Sequence, residues 1–261
     1  MKNFLGKFLF RLTRILLSFF KINIAIVGSS INYPELSKKE IEFCEKIFRS
    51  STTLTSLDSL KVLAIACKYV EGKKIPGAFV EAGVWRGGSA IVARKFLEKS
   101  RSFFLYDTFE GMTEPGENDF RIGANTNKST VEKWNSLKKD SGSAWVASSL
   151  QEVESNFRNF EVFDESILFI KGDVRKTLQL KENVPHTIAL LRLDTDFYDS
   201  TLIELEILWP LLANGGILIL DDYGHWDGAR KAVDEYFERH NIQPLMIPIA
   251  GGGGRILLKG N

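Results

Sequence analysis

From residue 77 onward, short apolar runs alternate with stretches of helical periodicity. Gly77-Ala-Phe-Val-Glu-Ala-Gly83, Ser102-Phe-Phe-Leu-Tyr106, Ser166-Ile-Leu-Phe-Ile170, Thr187-Ile-Ala-Leu-Leu-Arg-Leu193 and Gly216-Ile-Leu-Ile-Leu220 read as buried strands. Ser89 to Lys99, Leu150 to Phe160, a short stretch near Lys176, residues 199–212 and Trp226 to His240 read as the helices between and after them. This alternation predicts an α/β fold with a doubly wound, mostly parallel sheet. Two further strands, Gln243-Pro-Leu-Met-Ile-Pro-Ile249 and Arg255-Ile-Leu-Leu-Lys259, are joined by a short Gly251–Gly254 loop. No helical crossover fits in that loop, so the two are predicted to pair antiparallel.

Upstream the pattern changes. Residues 34–50 predict a short helix after Pro34, and Ser51-Thr-Thr-Leu-Thr-Ser56 a polar loop that caps a helix over 56–72. In residues 1–30, Lys7, Arg11, Arg14 and Lys21 recur on one helical face, opposite Phe4, Phe8, Leu12, Ile15 and Phe19. The charges interrupt any run long enough to span a bilayer. The segment predicts a basic amphipathic helix on an anionic membrane surface, through residues 1–25, or a helix packed on the body or on a second subunit; a signal peptide is the third alternative, disfavoured by the missing small-residue cleavage site and by Arg11 and Arg14 in the apolar core. Residues 111–147 are polar and Gly-dotted, with Trp134 and Trp145, and are too long for an ordinary loop. They predict a partly helical insertion. The expected organisation is therefore an N-terminal helix at 1–30, a helical extension at 31–75, and a main domain at 76–261 that carries the insertion.

Composition narrows the class only a little. Hydrophobic residues make up 44% and charged residues 26% of the 261, with a net charge of +1. Nothing in that balance favours nucleic acid as a partner. Cys44 and Cys67 sit in helix-like stretches without metal-ligand or disulfide spacing, and a reducing, cytoplasmic setting fits, with peripheral contact at the inner membrane surface if the N-terminal helix docks there.

The candidate chemistry lies where strands end. Asp194 and Asp196 follow the strand closing at Leu193, and Asp221 and Asp222 follow the strand closing at Leu220. In an open parallel sheet these ends line the ligand crevice. Four acids gathered there repel one another unless a proton or a cation is shared, and hard divalent cations such as Mg²⁺ favour such oxygens. Taken singly, Asp222 could instead cap a helix and Asp196 could pair with an arginine such as Arg230. Glu81-Ala-Gly-Val-Trp-Arg-Gly-Gly-Ser89 joins the first strand to its helix. Gly83 there lets the backbone turn and approach a ligand, Glu81 can accept from a cationic or hydroxyl-bearing ligand, and Ser89 sits near a helix N-terminus. Asp107 ends the next strand, where an acid commonly accepts from a ribose diol. The pair points to an adenosine-containing cofactor without separating NAD from S-adenosylmethionine. Lys171-Gly172-Asp173 follows the third strand, and Asp173 either accepts from an adenine amino group or simply caps the next helix. Thr53, Leu54 and Thr55 either close over the cofactor or belong to the cap. His225 and His186 stay ambiguous, and Trp226 reads as a packing or substrate-wall residue.

Four segments in order, Phe79 to Ser89, Tyr106-Asp-Thr-Phe-Glu-Gly-Met112, Leu193-Asp-Thr-Asp-Phe-Tyr-Asp-Ser-Thr201 and Asp221 to Glu235, resemble the TylF/macrocin O-methyltransferase family over roughly residues 50–260. The resemblance implies the class I methyltransferase fold, a Rossmann-like seven-stranded sheet with an antiparallel last strand. It also implies S-adenosylmethionine as methyl donor, Mg²⁺ or another divalent cation, and a hydroxyl on a sugar-containing small molecule or glycan as acceptor. On it, Asp194, Asp221 and Asp222 match metal ligands and Asp196 the general base. Glu81, Gly83, Ser89 and Asp107 match the cofactor pocket, and Thr53-Leu54-Thr55-Ser56 resembles the family's Thr-Met-Thr-Ser segment. Gly172-Asp-Val-Arg-Lys-Thr177 departs from the family's usual Gly-Trp-Phe. A homo-oligomer is expected. The alternatives are a catechol-type O-methyltransferase, an NAD(P)-dependent oxidoreductase on a similar sheet, and a non-catalytic, membrane-docked binding protein built on a methyltransferase scaffold.

Overall fold

The computed structural model describes residues 32–139 and 142–260. The amphipathic segment expected at 1–30 lies outside the described residues. Two helices lead in, α1 (Lys38–Arg49) and α2 (Leu57–Gly72). A Ser37/Glu40 capping box starts α1, and Ser56 accepts from the Ser59 N–H to start α2. The alternating region then gives β1 (Ala78–Ala82), α3 (Gly88–Phe96), β2 (Phe103–Asp107), α4 (Lys128–Leu137) and the small hairpin β3 (Lys138–Lys139) and β4 (Gly142–Ser143). It continues with α5 (Leu150–Asn159), β5 (Ile167–Lys171), α6 (Val174–Thr177), β6 (Ile188–Leu193), α7 (Tyr198–Leu208), β7 (Leu212–Leu220), α8 (Asp227–Arg239), β8 (Ile247–Pro248) and β9 (Arg255–Leu258).

Seven strands form one sheet in the order β5-β2-β1-β6-β7-β9-β8. The pairs from β5 to β7 are parallel, while β9 runs antiparallel to both β7 and β8. The expected α/β class and antiparallel last strand are therefore present. Two boundaries differ from the hydropathy reading, each at a proline. The helix expected to reach residue 212 ends at Leu208, because Pro210 cannot continue it. Of the strand expected over 243–249 only Ile247–Pro248 is paired, because Pro244 and Pro248 offer no N–H to a ladder.

Strand alternation sorts the core into two layers. Phe79, Leu105, Leu190 and Ile219 face a layer covered by α1, α2, α3 and α5. Val80, Leu191, Leu193 and Leu218 face the other, under α7 and α8. The same alternation turns Glu81 and Arg192, cross-strand partners on β1 and β6, into the first layer among apolar neighbours. Residues 111–147 carry α4 and the hairpin and have a small core of their own: Trp134 and Trp145 pack with Phe197, Trp226 and Ala229. Asp119 pins this insertion by accepting from the backbone N–H groups of Gly116 (2.7 Å) and Tyr198 (2.8 Å). No helix among the described residues is long and apolar enough to cross a membrane.

Candidate active site

The carboxyl ends of β1, β2, β6 and β7 open into one cavity of roughly 310 Å³. That is within the size range of small-molecule sites. One half is lined by Thr53, Leu54, Gly83, Ser89, Asp107, Gly172 and Asp173, and the other by Asp194, Asp196, Asp221, Asp222, Trp145 and Trp226.

The glycine loop sets the first half. Gly83 has φ +87°, and a Cβ there would lie 1.9 Å from the Asp194 carbonyl oxygen. Only glycine lets the β1 turn pass this close to the end of β6. Gly87 begins α3 in the left-handed region and leaves the helix N-terminus without a side-chain cap. A helix start without a capping side chain, opening toward the cavity at Ser89, suits a carboxylate. On the other side of that helix start, Gly88 donates to the Thr52 carbonyl at 3.0 Å, which seats the 52–56 segment against α3. Asp107 accepts from the N–H groups of Val84 (2.9 Å), Trp85 (2.8 Å) and Phe109 (2.7 Å). Its carboxylate organises the glycine loop, and the Thr108 hydroxyl approaches its fourth acceptor position at 3.4 Å. Burial raises its pKa, and the three N–H donors oppose the rise.

Two of the sequence candidates are placed differently from the others. Glu81 is fully buried and does not line the cavity; it sits behind Ser89, whose hydroxyl donates to Glu81 Oε1 at 2.5 Å. The reason is register: one strand residue short of the loop, it faces the α2–α3 layer. Asp173 is the N-cap of α6 and also holds Arg175 in a bidentate pair, at 2.6 Å between Oδ2 and Nη2, so its carboxylate is committed within its own turn.

The acidic half is dense. Asp194, Asp221 and Asp222 each present an oxygen, all within 4.8 Å of one another. Arg192, 1% exposed, underlies them: Nη1 lies 2.5 Å from Glu81 Oε1 and 2.8 Å from Asp194 Oδ2, while Nη2 lies 2.8 Å from Asp221 Oδ1 and 2.9 Å from Thr55 Oγ1. One guanidinium thus serves three carboxylates and uses one oxygen of each. Burial pushes the pKa of Asp194 up, Arg192 opposes this, and Asp221 and Asp222 add to it. Asp222 is also raised, by burial and then by Asp196 and Asp221. Such a set of hard oxygens, with more negative charge than its one arginine can neutralise, fits a divalent cation.

Asp196 stands beside the cluster in the left-handed region, at φ +64°, a conformation aspartate tolerates better than most residues. Its N–H donates to Asp222 Oδ2 at 2.9 Å. Burial, then the neighbouring Asp194 charge, push its carboxyl up to about 7. Arg230 pairs with Asp227 and Lys231 donates to Asn118, so neither reaches the acids. His225 accepts from the Gly253 N–H at 2.8 Å, a local bond at the rim, and His186 is exposed ahead of β6.

Pattern reading missed several contributors. Arg192 stood in plain view as the single charge in the β6 run, and a buried charge requires partners. Arg121, whose guanidinium stacks 4.1 Å over the Trp226 ring at the cavity wall, gave no such signal. Glu204, fully buried on α7, bonds Thr195 Oγ1 through one oxygen at 3.2 Å, while the other has no partner.

Comparison with known proteins agrees with this layout. The family model described as Macrocin-O-methyltransferase (TylF) matches residues 17–253. Demethyldecarbamoylnovobiocin O-methyltransferase of Streptomyces niveus is 33% identical over 205 residues, covering 77% of this chain and 73% of that protein. The Streptomyces olivaceus 8-demethyl-8-(2,3-dimethoxy-alpha-L-rhamnosyl)-tetracenomycin-C 4'-O-methyltransferase is 34% identical over 206 residues, covering 77% and 73%. Among solved structures, that of the O-methyltransferase NovP superposes with a TM-score of 0.70 at 31% identity, covering 81% of this chain and 84% of that one. The β1 glycine loop, the acids after β6 and β7, and the sheet order thus sit in the fold that performs methyl transfer from S-adenosylmethionine, and the chain belongs to the TylF macrocin O-methyltransferase family.

Proposed function

We propose that this protein transfers the methyl group of S-adenosylmethionine to a sugar hydroxyl, with a divalent cation, Mg²⁺ foremost, held by Asp194, Asp221 and Asp222. The observation that carries the reading is the convergence of three carboxylate oxygens beside Asp196, in a cavity whose other half is the glycine loop. When bound, the cofactor supplies an electrophilic sulfonium methyl and the cation a Lewis acid that lowers the pKa of a neighbouring hydroxyl.

The chain's own residues supply the rest. Asp196 accepts the proton leaving the acceptor hydroxyl; its burial beside the cluster favours the neutral carboxyl and so makes it a stronger base than a solvated carboxylate. Asp222 fixes the Asp196 backbone, and with it the base, by accepting its N–H. Ser89, the uncapped start of α3 and Asp107 are placed for the amino-acid and ribose parts of the donor. Trp145 and Trp226, with centroids 6.1 Å apart, form an apolar wall on the acid side of the cavity. A sugar would lie beside this wall with its hydroxyls turned to the acids. Positioning of oxygen and methyl then supplies much of the rate. The glycosidic acceptor in the name of the S. olivaceus relative supports a sugar over a catechol. The nicotinamide alternative lapses with the family assignment.

The test is turnover of a panel of nucleotide sugars and glycosides with labelled S-adenosylmethionine, read by product mass. Activity is expected to vanish in EDTA and return with Mg²⁺, and Asp221→Asn is expected to bind Mg²⁺ more weakly by calorimetry. Full activity after chelation overturns the metal part. Methylation of catechols alone overturns the acceptor class.

A further inference from the structure

Arg192 reaches both halves of the site from underneath. Its partners lie on five separate stretches of chain: Thr55 ahead of α2, Glu81 in β1, Ser89 at the start of α3 (3.4 Å from Nη1), Asp194 after β6 and Asp221 after β7. Two of these belong to the donor half of the cavity and two are the proposed metal ligands. The guanidinium is buried, and burial alone would disfavour its charge; Asp194, Asp221 and Glu81 outweigh that and keep it charged. Its fork is planar and rigid, so whatever fixes one set of partners orients the bonds to the others.

We propose that Arg192 is a positioning residue that couples the two halves of the site, so that cation binding at Asp194 and Asp221 and donor binding beside the 52–56 segment favour each other. The inference rests on the metal reading above. Without the cation, Glu81, Asp194 and Asp221 compete for one guanidinium. A cation that neutralised Asp194 and Asp221 would relax that competition and leave the fork directed at Glu81 and Thr55. Glu81 in turn holds the Ser89 hydroxyl, and Thr55 holds its segment, whose preceding Thr53 also accepts from the Thr55 N–H at 3.0 Å. Linkage then requires reciprocity: the donor tightens the cation by the same factor as the cation tightens the donor.

The experiment uses S-adenosylhomocysteine, which lacks the sulfonium charge and so does not repel the cation. Its Kd is measured by calorimetry with and without saturating Mg²⁺, for the wild type, Thr55→Val and Arg192→Lys. Thr55→Val keeps the shape of the side chain and removes only the acceptor for Arg192. In the wild type Mg²⁺ is expected to tighten the ligand at least about five-fold. In Thr55→Val the ratio is expected to fall below about two-fold, with Mg²⁺ binding alone unchanged; Arg192→Lys is expected to lose the ratio and weaken Mg²⁺ as well. A ratio in Thr55→Val equal to that of the wild type overturns the coupling, as does a wild-type ratio near one while Mg²⁺ still binds. If Mg²⁺ does not bind the wild type at all, the metal reading fails and the coupling falls with it. Thr55→Val keeps the test decisive should Arg192→Lys fail to fold.

Discussion

Replacing Gly83 with alanine sets the strictest test of the geometry. The residue sits at φ +87°, where a side chain costs roughly 1–2 kcal/mol of backbone strain. The added Cβ would stand 1.9 Å from the Asp194 carbonyl oxygen and 2.6 Å from its carbon, against the 3.0 Å below which real Cβ contacts essentially do not occur. The obstacle is backbone, not a side-chain tip, so β1 and β6 must part by about 1 Å where the Asp194 N–H donates to the Ala82 carbonyl. Overpacking of this kind adds roughly 1–3 kcal/mol. The total, about 2–5 kcal/mol, lowers Tm by about 4–20 °C for a domain of this size. The shift also moves a proposed cation ligand, and a displacement of about 1 Å at a reacting centre is worth on the order of 10²-fold in rate. Gly123→Ala is the control, because it has a similar φ, +92°, with nothing within 4 Å of the added Cβ. It is expected to show the strain alone, a loss of about 2–8 °C, with kcat unchanged. The assay is thermal unfolding beside steady-state methyl transfer. Gly83→Ala behaving like Gly123→Ala in both would refute the close-approach argument.

Two further outcomes follow from buried carboxylates. Burial raises the Glu204 pKa well above its ordinary value, and Asp222 adds to this. A raised folded-state pKa means the native state keeps a proton that the unfolded chain releases, so the associated stability is complete below about pH 4 and declines as pH rises toward the folded value. Metal-free wild type should therefore lose stability from about pH 5 upward relative to Glu204→Gln, by up to ~1.4 kcal/mol per pH unit, in urea unfolding; parallel curves for the two proteins would show that Glu204 is ionised in the native state. Asp119→Asn leaves one of the Gly116 and Tyr198 N–H groups facing an amide N–H in place of an acceptor. It is expected to cost about 1–3 kcal/mol and to raise the acceptor KM while the donor KM stays level, because Asp119 pins the insertion and not the glycine loop. An equal rise in both KM values would mean that the insertion does not act on the acceptor side alone.

What the sequence determined by itself was whatever depends on neighbours along the chain. Strand–helix alternation fixed the layered α/β sheet, the four-residue Gly251–Gly254 loop fixed an antiparallel end, and the acids after Leu193 and Leu220 were bound for one edge, because parallel strands carry their carboxyl ends to the same side; the pairing of β6 with β7 then brought them together. Tertiary structure alone decided matters of facing and distance. Strand parity placed Glu81 behind the cavity although it lies two residues from Gly83, and the same parity set Arg192 beneath Asp194 and Asp221 from a position that reads as core. Asp173 lines the cavity yet spends its carboxylate on Arg175, and Arg121 reaches Trp226 only because the insertion folds back across the start of α8. Periodicity along a chain fixes which elements form; which of two faces a charge turns to, and what it meets there, is settled by the register of strands far apart in sequence.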